Sequence, residues 1–355
     1  AMGRKLLADP ELPAKLQRQP AAQWVSTIKA LVQKGVKQAE IDDCEVLVWL
    51  AGQKGSLARE QVIEHVQRRQ VTVKEVVLGQ PKFSGYSHMR YFPAGQAQYK
   101  EILFIANSER ANIEDRLEEL DYQMEAFALD MEMLSLEPDR LFQLEAERRA
   151  LMTQVDKAYE FAAHHFSSAV NGKHGKNLLA HGREIVAGDL YFISEIQSDW
   201  GQKGRLNDWK GIPKGPFVTD TSLWAGLVLK RMLQRAALNP QVKRVCWIRG
   251  SMRNGGAQVT QDNLDEFYLK TVGGIADRLV AGTGQKCRLQ NLTMGTLTLP
   301  DVPTLDMTPE VRELLSGPLQ LYSHAPVRKP EPPKERAPQL AAAPEAQPRR
   351  ERLAA

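Results

Sequence analysis

Two short apolar runs, NLLAHGREI (177–185) and LYFISEIQ (190–197), sit on either side of VAGD, with Gly188-Asp189 near the turn. That pattern reads as a β-hairpin. Next come SLWAGLVLKRMLQRAALNP, an amphipathic helix with Leu223, Leu227, Met232 and Leu233 among its apolar positions, and VKRVCWIRG, a strand. NLDEFYLKTVGGIADRLVAGTG reads as a helix weakened by Gly273 and Gly274, CRLQNLTMGTLTLP as a pair of short strands or an extended run, and TPEVRELLSG as a terminal helix with Thr308 as N-cap and Pro309 at its first position. The class this predicts is α+β, a mixed sheet with flanking helices.

The segment before the hairpin has a different texture. In residues 1–80, AAQWVSTIKALVQKG, IDDCEVLVWLAGQKG and SLAREQVIEHVQRRQ read as short helices, with Ser56 a candidate N-cap. VTVKEVVLG alternates as a strand, and these residues together read as a small N-terminal module. After the strand QYKEILFIA, Ile113, Leu117, Leu120, Met124, Phe127, Met131 and Leu134 recur at spacings of four and three, a heptad seam broken at Pro138. Leu141, Leu144, Leu151, Val155, Ala158 and Ala162 continue it, interrupted by Arg148. The reading is an antiparallel helical hairpin over about 108–165, inserted in an α+β domain of residues 81–324, either as a self-packed spacer or as an arm for a partner protein or a further copy of the chain.

Residues 325–355 are rich in Pro, Ala and charge and bury too little apolar surface to offset ordering entropy, so they read as a disordered tail. The tail holds seven Lys and Arg against four Asp and Glu, which accounts for most of the net charge of +4. The basic balance is therefore no evidence for a nucleic-acid groove on the folded part. Cys44, Cys246 and Cys287 are widely spaced and odd in number, which argues against a disulfide framework or a zinc site. No apolar run approaches the roughly 20 residues that span a bilayer, and no secretory signal is visible, so membrane insertion is not expected.

Several stretches together resemble a domain of the very large polyvalent proteins of bacteriophages and mobile elements. They are KGVKQAEIDDCEVLVWLAGQKGSLAREQVIEHVQRRQVTVKEVVLG, QYKEILF, NLLAHGR, LYFISEIQSDWGQKGR, PFVTDTSLWAGLVLKRMLQRAA and LDMTPEVRELLSGPLQLYS. The resemblance spans most of residues 30–324. It implies a phage- or element-encoded protein, virion-associated or delivered into the host cytoplasm, with an anti-defence or structural and ejection role and a phage or host protein as the partner of the 108–165 hairpin. The sequence departs from that pattern in the 108–165 insertion, at Gly201 (histidine in the family) and in GSMRNGGAQ (250–258), where the family carries Gly-Glu-Gln-Gln and an arginine.

The polar end of the second hairpin strand is the one stretch with the makings of a site. Strict alternation places Tyr191, Ile193, Glu195, Gln197 and Asp199 on one face, and Leu179, His181 and Arg183 on one face of the partner strand. Three readings stand. One is a satisfied polar network, with Glu195 pairing Arg183 and with Gln197 and Asp199 capping the next turn. Another is a nuclease of restriction-endonuclease-like type, in which Glu195 and Asp199 hold Mg²⁺, Gln197 orients water and Lys230 follows on the helix. The last is an ADP-ribosyltransferase-like site, with His181 or Arg183 gripping a dinucleotide and Glu195 stabilising an oxocarbenium ion. Beyond the strand, Lys203, Arg205 and Lys210 around Trp209 have the basic-aromatic character of a nucleic-acid contact. His164-His165, and Lys173 and His174 in NGKHGKN, are weaker signals: adjacent histidines diverge on a helix, and the loop lacks P-loop spacing.

Overall fold

A computed structural model of the chain describes residues 2, 18–79, 97–107, 109–130, 138–152, 161, 177–252, 260–294, 297–317 and 320–323. The expected tail at 325–355, His164, His165, His174, residues 253–259 and the seam positions Met131, Leu134, Val155, Ala158 and Ala162 lie outside the described residues.

The N-terminal part has its own small core. β1 (Arg18–Pro20) leads into α1 (Ala21–Ala30), followed by α2 (Gln38–Asp43), α3 (Val46–Ala51), β2 (Ser56–Ala58) and α4 (Arg59–Arg68). β1 and β2 pair antiparallel, and Trp24, Ile28, Ile41, Leu50 and Val62 bury together above them. The Trp24 indole N–H donates to the Leu57 carbonyl at 3.0 Å, which ties α1 to β2. Ser56, expected as a helix cap, is instead a strand residue; the helix starts after Ala58, whose N–H donates to the Gln61 side chain. The cause is local: pairing with Pro20 keeps Ser56 extended.

The second core is built on a seven-stranded sheet. Its strands are β3 (Thr72–Gly79), β4 (Ala97–Asn107), β5 (Leu178–Ala187), β6 (Leu190–Gln197), β7 (Arg244–Trp247), β8 (Arg288–Met294) and β9 (Leu297–Asp306), in the order β3-β4-β5-β6-β7-β9-β8. The fold is mixed α+β, as the patterning predicts. β3 falls inside the expected N-terminal segment 1–80, yet it pairs along its length with β4 and forms the sheet's edge. β6 and β7 are the one parallel pair among the described residues, joined across α7 (Asp199–Leu206) and α8 (Thr221–Leu238). α9 (Gln261–Asp265) runs through a π-helical stretch, Glu266–Val272, into α10 (Gly273–Leu279), so the expected weakness lies just before the glycines. α11 (Pro309–Ser316) starts as expected, with the Val311 N–H bonded to Thr308 Oγ1.

Over its described residues, the inserted segment forms the two packed helices that the heptads predict. Here α5 (Glu109–Leu129) and α6 (Pro138–Met152) pack with Leu120 and Leu144 buried between them. Arg116 bridges to Glu147 at 2.9 Å and Arg148 to Asp121 at 2.5 Å, so the arginine that interrupts the seam serves as a cross-helix pair. Among the described residues, no helix is long and apolar enough to cross a membrane.

α8 can lie flat on the sheet because of Gly182. A Cβ there would come within 2.7 Å of the Met232 sulfur and 2.8 Å of a Val228 methyl. Gly182→Val therefore pushes α8 off β5 and is expected to cost about 1–3 kcal/mol, the usual range for overpacking. Urea unfolding of the two proteins measures it; an unchanged midpoint would show that the close approach is not needed.

Candidate functional site

Residues directly opposite on antiparallel strands share a face, so the register fixes which side chains meet. Glu195 pairs with Arg183 and Gln197 with His181, but the next pair is Ile193 with Glu184. Ser194 is therefore an extra residue, a β-bulge that switches the side-chain alternation. The predicted single row is corrected accordingly. Tyr191 and Ile193 share the face of Gly182 and Glu184, whereas Glu195 and Gln197 share the opposite face with Arg183 and His181. Glu101, opposite Arg183 on β4, joins this second face.

The result is a charged cluster across three central strands. Arg183 Nε donates to Glu101 Oε1 at 2.8 Å, and its Nη1 forms an ion pair with Glu195 Oε2. His181 Nε2 lies 3.9 Å from the same Glu195 oxygen, and the Tyr99 hydroxyl donates to Glu101 at 2.7 Å. Arg183 is 5% exposed, and Glu101, His181 and Glu195 are 2% exposed or less. Charges this deep are tolerated when paired and hydrogen-bonded, and a planar guanidinium suits two carboxylates. Glu101 is the member that sequence reasoning missed. The available signal was a single acid at an inward position of the apolar strand QYKEILFIA.

The other predicted site residues lie elsewhere. Gln197 donates to Asp199 at 2.6 Å at the start of α7, where both belong to the strand-to-helix turn. The N-cap itself is Ser198, whose Oγ accepts from the Gly201 N–H and donates to the Leu179 carbonyl. A side chain at Gly201, within α7, would meet the Val218 carbonyl oxygen at 2.9 Å, so the close approach of that backbone selects glycine. Lys230 does not approach Glu195. It belongs to α8, which covers the Gly182 face, where Arg235 of the same helix bonds Glu184 through both carboxylate oxygens. Its Nζ instead donates to the carbonyls of Gln320, Leu321 and Ser323. Burial pushes the Lys230 amine down to about 7, while the three carbonyls favour its charged form.

The segment held by Lys230 also reaches the N-terminal part. Tyr322 stacks on Phe217 with centroids 4.4 Å apart, and its hydroxyl donates to Asp43 Oδ2 at 2.6 Å. Residues 320–323 thus strap α2 to the sheet-bearing part. Burial raises the Asp43 carboxyl from 3.8 to about 6, against the hydrogen bond from Tyr322.

The basic stretch is partly absorbed by the fold. Trp209, with φ of 58°, lays its ring against Gly204 and is half-buried, and Arg205 donates to Thr221 at 2.9 Å. Lys203 and Lys210 remain exposed, with Lys203 over the Phe161 ring.

Chemically, the cluster is closed. Glu195 can serve as a hard oxygen ligand only by leaving Arg183, and Asp199 is engaged by Gln197. Among the described residues, no group of three or more His, Cys, Asp and Glu is arranged to hold a metal ion. In comparison with known proteins, no family model matches the chain, and no curated protein and no solved structure matches it.

Two outcomes follow. Arg183→Met leaves two buried carboxylates without their cation and is expected to cost about 3–5 kcal/mol in urea unfolding, with much of the loss recovered in Arg183→Met/Glu101→Gln/Glu195→Gln. Loss below about 1 kcal/mol would mean that water reaches the cluster. For Asp43, the folded state binds more protons than the unfolded one between pH 3.8 and about 6, so its contribution to stability falls across that window and stays lost above it. Asp43→Asn keeps an acceptor for Tyr322 and should stabilise the protein by about 1–3 kcal/mol at neutral pH. The gain should vanish near pH 4, and a gain independent of pH would contradict the assignment.

Proposed function

We propose that this chain is a phage- or mobile-element-encoded protein that acts by binding a macromolecule, with the α5–α6 arm as the binding element. The closed state of the polar cluster weighs against a reaction centred on Glu195. The observation that carries the reading is the surface of the arm. Tyr122, Leu129, Phe142 and Met152 are exposed there, four of nine large exposed apolar side chains among the described residues. Each of these two helices exposes two such side chains, whereas the other five lie on five different elements, and an excess of exposed apolar groups on one hairpin points to an interaction site. The resemblance to polyvalent proteins, noted on the sequence, supports a delivered or virion-associated setting, with anti-defence or structural work as the role.

The test is recovery of a defined partner from cells carrying the phage or element, using the tagged full chain. A chain lacking residues 108–165, and separately Tyr122→Ser/Phe142→Ser, should lose that partner while the circular dichroism of the point variant stays that of the parent. A partner recovered equally by all three chains would overturn the role of the arm. Glu195→Gln should leave recovery unchanged.

A further inference from the structure

Two exposed surfaces of this chain complement one another. On α5, Glu118, Tyr122, Glu125 and Leu129 follow at spacings of four, three and four, so they form one stripe along the helix. All four are exposed, Tyr122 at 73% and Leu129 at 80%. This stripe is distinct from the seam that faces α6, where Leu120 is buried. α5 carries seven acids against two arginines, and α6 three of each. The outer stripe is thus acidic and apolar.

The second surface is α7 and the loop that leaves it. Between Gln202 and Gly215 lie four basic residues and one acid. Lys203, Lys210 and Lys214 are exposed, and among them stands Leu206, 82% exposed. A leucine held in water amid lysines has the makeup of an acceptor for an acidic apolar helix, with apolar contact at the centre and opposite charges at the rim.

We infer that the acidic stripe of one copy docks on the basic α7 surface of a second copy, head to tail. Both surfaces are exposed in the single chain, so they do not cover each other within one copy. Pairing stripe with stripe would set acid against acid, which disfavours a symmetric arm-to-arm dimer. A heterologous contact of this kind leaves one free arm and one free acceptor on every pair, so it continues into a ring or a filament. The contact rests on the arm being the binding element and supplies its partner: another copy of this chain.

The experiment is sedimentation velocity on the full chain over a rising micromolar series, at low and high salt. The expected result is association that grows with concentration and weakens with salt. Glu118→Lys/Glu125→Lys and, in a separate chain, Lys203→Glu/Lys210→Glu should each weaken it by roughly tenfold or more. Mixing the two variants should restore it, because reversed arm meets reversed acceptor and the unchanged pair remains. Circular dichroism of each variant keeps unfolding from passing as loss of contact. A monomer throughout the series would overturn the inference, as would loss in the arm variant with full association in the α7 variant, which is the mark of arm-to-arm pairing. Lysine-dependent binding of a labelled DNA duplex without self-association would assign the α7 surface to nucleic acid instead. A monomeric chain whose arm is still required for recovering another partner would sink the head-to-tail contact and leave the proposed function standing.

Discussion

The Arg183 guanidinium, held between Glu101 on β4 and Glu195 on β6, is the interaction that the centre of the sheet is arranged around. An isolated buried carboxylate is too costly to keep ionised, so neither glutamate is tolerable here without the arginine. The triad requires all three strands to be in register, since a slip of one residue sends each side chain to the other face. It also requires the Ser194 bulge: with unbroken alternation from Tyr191, Glu195 would lie under α8. The bulge thus lets one strand serve two chemistries, with Tyr191 and Ile193 on the helix side and Glu195 and Gln197 on the other.

The helix side follows the same rule with different partners. Glu184 is only 2% exposed, and it is matched by Arg235 of α8 and by the Tyr191 hydroxyl. Burial and the adjacent carboxylate hold that phenol well above its ordinary range, so it remains a donor. Lys230, two turns into the same helix, finds three carbonyls in the 320–323 strap in place of a carboxylate. Each buried charge on this side therefore fixes a neighbour: Arg235 fixes α8 on β5, and Lys230 fixes the strap on α8. Asp43, through Tyr322, extends the chain of contacts to α2.

Much of this frame was legible in the sequence because it depends on local patterns. The Gly188 turn, the α8 stripe and the Thr308-Pro309 start need only nearby residues, and the arm announces itself by its heptads. The site was less legible because its geometry turns on features without a local mark. A bulge has no composition signal in LYFISEIQ, so strict alternation puts Glu195 and Tyr191 on one face where the bulge separates them. Glu101 is one acid in an apolar strand 82 residues from Arg183, and only the pairing of β4 with β5 joins them. Lys230 follows the strand in sequence order, but order along the chain does not say which face of the sheet a helix covers. Glu195 with Arg183 was the pairing that cross-strand charge complementarity predicts, and it is present.

The distribution of charge separates the inside of this protein from its outside. Inside, every charged side chain discussed has a committed partner, and those partners fix register, helix seating and strap. Outside, the arm keeps Glu125 among exposed apolar side chains and α7 keeps Lys203 and Lys210 beside an exposed leucine. Surface ion pairs within a chain contribute little to stability, so nothing in folding requires those charges to stand where they do. Exposed leucine, tyrosine and phenylalanine also gain nothing for the fold by facing water. Surfaces that folding leaves unexplained are where association can act, and here two of them carry opposite charge on one chain. That arrangement suits association of like copies, in which each copy offers one surface and accepts the other.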